Sequence, residues 1–160
     1  MKGLNAIGLD LEKSEVIAGK LNVLLANYAI FYQNTRGHHW NVKGEKFFEL
    51  HLKFEELYND LLLKIDEIAE RILTLGHAPQ HRYSEYVKMA EVQESRKLSI
   101  GTEAVEDILH SLRTLLPLQR EILALATDAH DEGTSALMGD YIRGQEKLVW
   151  MYSAFLNEKR

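Results

Sequence analysis

Between residues 47 and 75 the apolar side chains Phe47, Leu50, Phe54, Leu57, Leu61, Ile65, Ile68, Ile72 and Leu75 recur at steps of three and four, up to the stop at Gly76 and Pro79. That spacing puts them on one face of an amphipathic helix of about thirty residues, roughly 45 Å long at 1.5 Å per residue. A rod of that length must bury its stripe against others of similar length. A second such run, from about Asp10 to His38, carries Ile17, Leu21, Leu24, Tyr28 and Phe31, and Lys43-Gly44 separates the two. A third is expected to open on Thr102 as its N-cap and to run through Val105, Ile108, Leu112, Leu115, Leu116, Leu123 and Leu125. Pro117 falls inside it, so a bend near residues 113–117 or a break there is expected. The fourth follows Asp131-Glu132-Gly133 and carries Leu137, Tyr141, Leu148, Met151 and Phe155. Residues 80–101 are polar, with one short candidate helix near 84–90. Four long helices with a long middle connection predict an all-α four-helix bundle with a crossover.

Composition narrows the chemistry. The 160 residues are 46% hydrophobic, which suits one domain over residues 1–160. There is no cysteine, so a bound metal must rest on nitrogen and oxygen ligands. The start has no apolar signal segment and no apolar run reaches membrane-spanning length, so the expected location is the cytoplasm, with no membrane partner. A net charge of -5 with scattered lysines and arginines argues against a large nucleic-acid surface.

Five side chains on and beside the second helix are metal-ligand types: His39, His51, Glu55, Asp66 and Glu70. With His51 at zero and about 100° per residue, Glu55 lies near 40°, Asp66 near 60° and Glu70 near 100°, all within one sector. Asp66 is nevertheless roughly 22 Å along the axis from His51, so one ion cannot reach both ends. A two-fold axis across the middle of the stripe would bring His39, His51 and Glu55 of one chain against Asp66 and Glu70 of another, making two equivalent sites per dimer. The competing reading is a solvated face, with Asp66 and Glu70 paired to neighbours such as Lys64 and Arg71.

The segments His39-Trp40, Gly44, Phe47-Phe48, Leu50-His51, Phe54 to Tyr58 and Asp66 to Arg71 together resemble the Dps family, the DNA-binding proteins from starved cells. These are mini-ferritins of the ferritin-like superfamily, and the resemblance extends over nearly the whole chain, including Glu146 to Met151. It implies a ferritin-like bundle, a homo-oligomer of twelve subunits, and a ferroxidase that oxidises Fe(II), preferentially with hydrogen peroxide, and stores Fe(III) mineral, protecting against oxidative damage. By position it makes His39, His51, Asp66 and Glu70 iron ligands, with Glu55 where the family has a further carboxylate. It also makes Trp40 a tryptophan beside the site that intercepts oxidising radicals.

Three alternatives remain in view. A ferritin with its site inside one bundle would use paired Glu-x-x-His motifs, and the nearest match is the single Asp107-Ile108-Leu109-His110. A DNA-compacting architectural protein with secondary iron binding would need basic ends. Here those ends offer only Lys2 before Lys13, and Lys159-Arg160, so DNA binding is expected to be weak or absent. The third is a bundle that only packs or signals. Asp128, Asp131 and Glu132 would either focus cations at a pore or cap the fourth helix, and capping is the expected role.

Overall fold

The chain turns into its first helix at Asp10, whose carboxylate accepts the Lys13 N–H at 2.9 Å and so satisfies one of the open donors of the first turn. In a computed structural model, which describes residues 3–158, that helix is α1 (Leu11–Asn41). It is followed by α2 (Phe47–Thr74), the short α3 (Tyr83–Met89), α4 (Gly101–Asp128) and α5 (Glu132–Phe155), with no strand among the described residues. The four long helices form the bundle, and α3 lies in the crossover between α2 and α4. Lys2, Lys159 and Arg160 fall outside the described residues.

The predicted apolar stripes supply the core. Ile17, Leu21, Leu24 and Phe31 of α1 meet Phe54, Leu57, Leu61, Ile68 and Ile72 of α2 and Val105, Ile108, Leu112 and Ile122 of α4, all buried. None of the helices is long and apolar enough to cross a membrane.

A long connection with only one short helix must still satisfy its other backbone groups, and α1 helps to do this with three asparagines. Asn22 accepts the Gln80 N–H at 2.7 Å, buried Asn27 accepts those of Glu91 and Val92 at 2.9 Å, and Asn34 accepts that of Ser95 at 2.9 Å. Buried His38 adds a fourth tie, its Nε2 lying 2.7 Å from the Asp107 carboxylate, which also accepts the Ser95 hydroxyl. The crossover is thereby held along the length of α1.

Two expectations need correction. Helix α4 opens at Gly101 with Ile100 in the capping position and no side-chain cap, not on Thr102. The reason is tertiary: Lys43 pairs with Ile100, and its N–H donates to the Ser99 carbonyl at 2.9 Å, which fixes the chain as extended up to that point. Of the bend or break expected at Pro117, the break does not occur: α4 runs unbroken from Gly101 to Asp128. Buried Leu112, Leu115, Leu116, Gln119 and Ile122 pack on both sides of the proline, and that packing offsets its local cost of about 3 kcal/mol.

Candidate metal centre

Helices α1 and α2 reverse direction through residues 42–46. Gly44 supplies the positive φ of 104° that the turn requires, and the Phe47 N–H donates back to its carbonyl at 3.1 Å. The reversal sets His39, in the last turn of α1, beside His51, near the start of α2. Their rings stack with centroids 3.7 Å apart and planes 15° apart. Each Nδ1 meets the other residue's backbone carbonyl, His39 to His51 O at 2.6 Å and His51 to His39 O at 2.8 Å. A carbonyl can only accept, so both Nδ1 atoms carry hydrogen and both Nε2 atoms are left as the nitrogens available to an ion. Donation of the remote ring N–H to a carbonyl is the usual way a ligating imidazole is held in orientation. Phe47 stacks on the outer side of His51 at 4.9 Å, and Tyr58 stands edge-on to His39 at 5.3 Å.

Glu55 follows one turn after His51 and is half-buried, with the Tyr58 hydroxyl 3.5 Å from its Oε1. Asp66 and Glu70 are exposed farther along the same helix. Their side chains make no hydrogen bond or ion pair among the described residues. The cations that flank them are engaged elsewhere: Lys64 binds Asp60 at 2.6 Å, and Arg71 binds Asp131 at 2.6 Å and the Thr134 hydroxyl at 2.9 Å. Asp66 and Glu70 are thus exposed, as a solvated face would have them, but without the expected pairing to Lys64 and Arg71. Among the described residues of one chain, no three ligand-type groups come together closely enough to hold an ion.

The same sector of α2 is apolar between these groups. Phe48, Leu52, Leu62, Leu63 and Leu73 stand 83%, 55%, 48%, 65% and 58% exposed. On the helical wheel they fall at about 20° to 120° from His51, among Glu55, Asp66 and Glu70. Exposed apolar side chains gathered on one helical face mark a surface that another molecule covers. Trp40 is also exposed, at 58%, and the Arg36 guanidinium lies 4.8 Å from its ring centroid.

The middle of the bundle holds a different polar group, which sequence patterning did not single out. The Tyr28 hydroxyl donates to Gln119 Oε1 at 2.5 Å and accepts from Gln145 Nε2 at 2.5 Å, and Gln119 Nε2 donates to Gln145 Oε1 at 2.7 Å. Burial pushes the Tyr28 hydroxyl well above its ordinary range, so it stays protonated. This closed ring of neutral groups stands where a site inside one bundle would need carboxylates. Asp107, the acid of the lone Asp-x-x-His motif, is occupied with His38 and Ser95. Burial opposes its ionisation, but those hydrogen bonds outweigh burial and hold its carboxyl below the usual value.

A ferritin-like domain model matches residues 18–160. The chain belongs to the ferritin-like family, among its Dps proteins. A DNA protection during starvation protein from Porphyromonas gingivalis is 43% identical over 154 residues, 96% of this chain and 97% of that one. An uncharacterized protein from Haemophilus influenzae is 54% identical over 149 residues, 93% of each. In three dimensions the crystal structure of the DPS protein from Vibrio cholerae O1, a member of a broad superfamily of ferritin-like diiron-carboxylate proteins, superposes with a TM-score of 0.95. That protein is 54% identical in sequence, with 98% of each chain covered. The Dps protein from Bacillus brevis superposes with a TM-score of 0.88 at 33% identity, over 91% of this chain and 97% of that one.

Proposed function

We infer that this protein is an iron-oxidising and iron-storing mini-ferritin whose ferroxidase sites are each shared by two copies of the chain. Fe(II), and the Fe(III) it becomes, is substrate and cargo. In each site His39, His51 and Glu55 of one copy face Asp66 and Glu70 of another across a two-fold axis. One observation carries the reading. The His39 and His51 rings are locked with their Nε2 atoms uncommitted, while the carboxylates that would complete the ligand set lie roughly 22 Å away on the same helix face, unpaired among the described residues. The exposed leucines among them support burial of this face against a second copy. The diiron-carboxylate character of the Vibrio cholerae relative supports iron as the metal.

Imidazole helps retain Fe(II), and carboxylates suit both Fe(II) and the harder Fe(III). Two ions in one site supply two electrons at once: two Fe(II), one hydrogen peroxide and two protons become two Fe(III) and two waters, with no hydroxyl radical released. Closed two-fold pairs of this kind assemble further into the family's twelve-subunit shell, whose interior receives the mineral. The result is protection of the cytoplasm against peroxide and free iron. Trp40 stands at the rim of the site as an outer electron donor.

The DNA-compacting alternative has less support. Residues 3–10 do not form a free basic arm, because Asn5 accepts the Ile7 and Leu9 N–H groups and donates to the Ser14 hydroxyl and the Leu75 carbonyl. Anaerobic Fe(II) titration of the wild type and of His51→Ala tests the iron reading. Loss of an outer partner of a metal ligand costs about 10- to 100-fold in affinity, so loss of the ligand itself should cost at least about 100-fold. Equal Fe(II) affinity in the two proteins would contradict the assignment.

A further inference from the structure

We propose that Tyr58 is a catalytic residue of this site, the side chain that quenches the hydroxyl radical formed when peroxide meets a site holding a single Fe(II). The inference rests on the iron reading given above. Tyr58 touches both kinds of ligand at the histidine end. Its ring stands edge-on to His39, with centroids 5.3 Å apart and planes at 82°, and its hydroxyl lies 3.5 Å from Glu55 Oε1. No other phenol is in ring contact with the histidine pair among the described residues; Tyr32 contacts Tyr58 instead, edge-on at 6.0 Å.

The chemistry at a half-filled site calls for such a group. A single Fe(II) gives peroxide one electron, so Fe(II) and hydrogen peroxide yield Fe(III), hydroxide and a hydroxyl radical. Tyr58 then transfers a hydrogen atom: its phenolic O–H bond breaks, an O–H bond of water forms, and the tyrosine is left oxidised by one electron. A second Fe(II) arriving at the site, together with a proton, restores the phenol and becomes Fe(III). The three steps sum to two Fe(II), one peroxide and one proton giving two Fe(III), one water and one hydroxide. That is the paired reaction carried out one electron at a time, with the intermediate oxidising equivalent held on the protein.

Geometry favours Tyr58 over Trp40 for this role. Trp40 is exposed and lies under the Arg36 guanidinium at 4.8 Å, and the same cation sits 5.3 Å from the Tyr32 ring. A cation held on a ring's face is attracted by its electron density, and so disfavours removal of an electron from it. The Tyr58 hydroxyl instead faces a carboxylate. The oxidising equivalent is therefore held first on Tyr58, inside the site, ahead of the exposed indole.

The test uses assembled protein carrying ring-deuterated tyrosine, loaded anaerobically with Fe(II) well below one ion per site. It is mixed with hydrogen peroxide, freeze-quenched and examined by electron paramagnetic resonance, with samples compared at equal bound Fe(II). The wild type should show a radical whose hyperfine structure collapses on tyrosine deuteration. That signal should be lost in Tyr58→Phe, which keeps the ring against His39, and retained in Trp40→Phe. Tyr58→Phe should also release more hydroxyl radical to a nitrone spin trap. A tyrosine signal undiminished in Tyr58→Phe, or an indole radical lost in Trp40→Phe, would overturn the assignment to Tyr58 while leaving the iron site standing. Fe(II) binding indifferent to His51→Ala would remove the iron reading, and the role of Tyr58 with it.

Discussion

Arg71 reaches from α2 to Asp131, which is 1% exposed and caps α5 by accepting the Thr134 N–H at 3.0 Å. The other carboxylate oxygen of Asp131 has no hydrogen-bond partner among the described residues, so Arg71 is the cation that keeps this charge tolerable below the surface. Arg71→Ala should cost about 3–5 kcal/mol and lower the thermal midpoint by roughly 6–15 °C, measured by calorimetry. A shift of a degree or two would show that the pair contributes little. The capping role was legible for Asp131 from its place before Glu132-Gly133, and it is the role the structure gives it. Its partner was not, because Arg71 and Asp131 are separated by two helices and a crossover. The histidine pair divides in the same way. His39 and His51 could be picked out as ligand types, but the reciprocal carbonyl bonds that free both Nε2 atoms depend on where the Gly44 turn sets α1 against α2.

The helices themselves were largely readable, since periodicity reports the buried face directly. Predicted spans 10–38 and 47–75 became Leu11–Asn41 and Phe47–Thr74, and the short helix near 84–90 became Tyr83–Met89. The departures, at Thr102 and Pro117, are places where contacts distant in sequence overrule a local preference. The crossover was read only as polar. Its actual restraint comes from Asn22, Asn27 and Asn34, whose roles no local pattern announces, together with His38, Asp107 and Ser95. The Asp107 carboxyl titrates below its ordinary 3.8 in the folded chain, so its stabilising effect is complete above that value and is lost as pH falls through the lower, folded value. The gap in thermal midpoint between wild type and Asp107→Asn should accordingly hold steady down to about pH 4 and narrow as pH falls further. A gap independent of pH would contradict this.

At the scale of the whole molecule, α2 carries one face that its own bundle does not cover. Leu62 and Leu63 lie midway along the ligand stripe, where an isologous two-fold axis would bring each residue close to its own copy. Leu63→Glu would set two carboxylates against each other there. It should shift the assembly to smaller species by light scattering while helical circular dichroism is retained; an unchanged mass would place the interface elsewhere. Shared sites make a stricter demand, because each variant keeps the half that the other has lost. His51→Ala and Asp66→Ala shells, each deficient in Fe(II) oxidation by peroxide, are dissociated, mixed and reassembled, and the initial rate is measured. Sites built across two chains predict that mixing restores part of the activity, since some pairs then join an intact histidine end to an intact carboxylate end. Reassembled mixed shells with no more activity than the two variants alone would contradict the two-chain site.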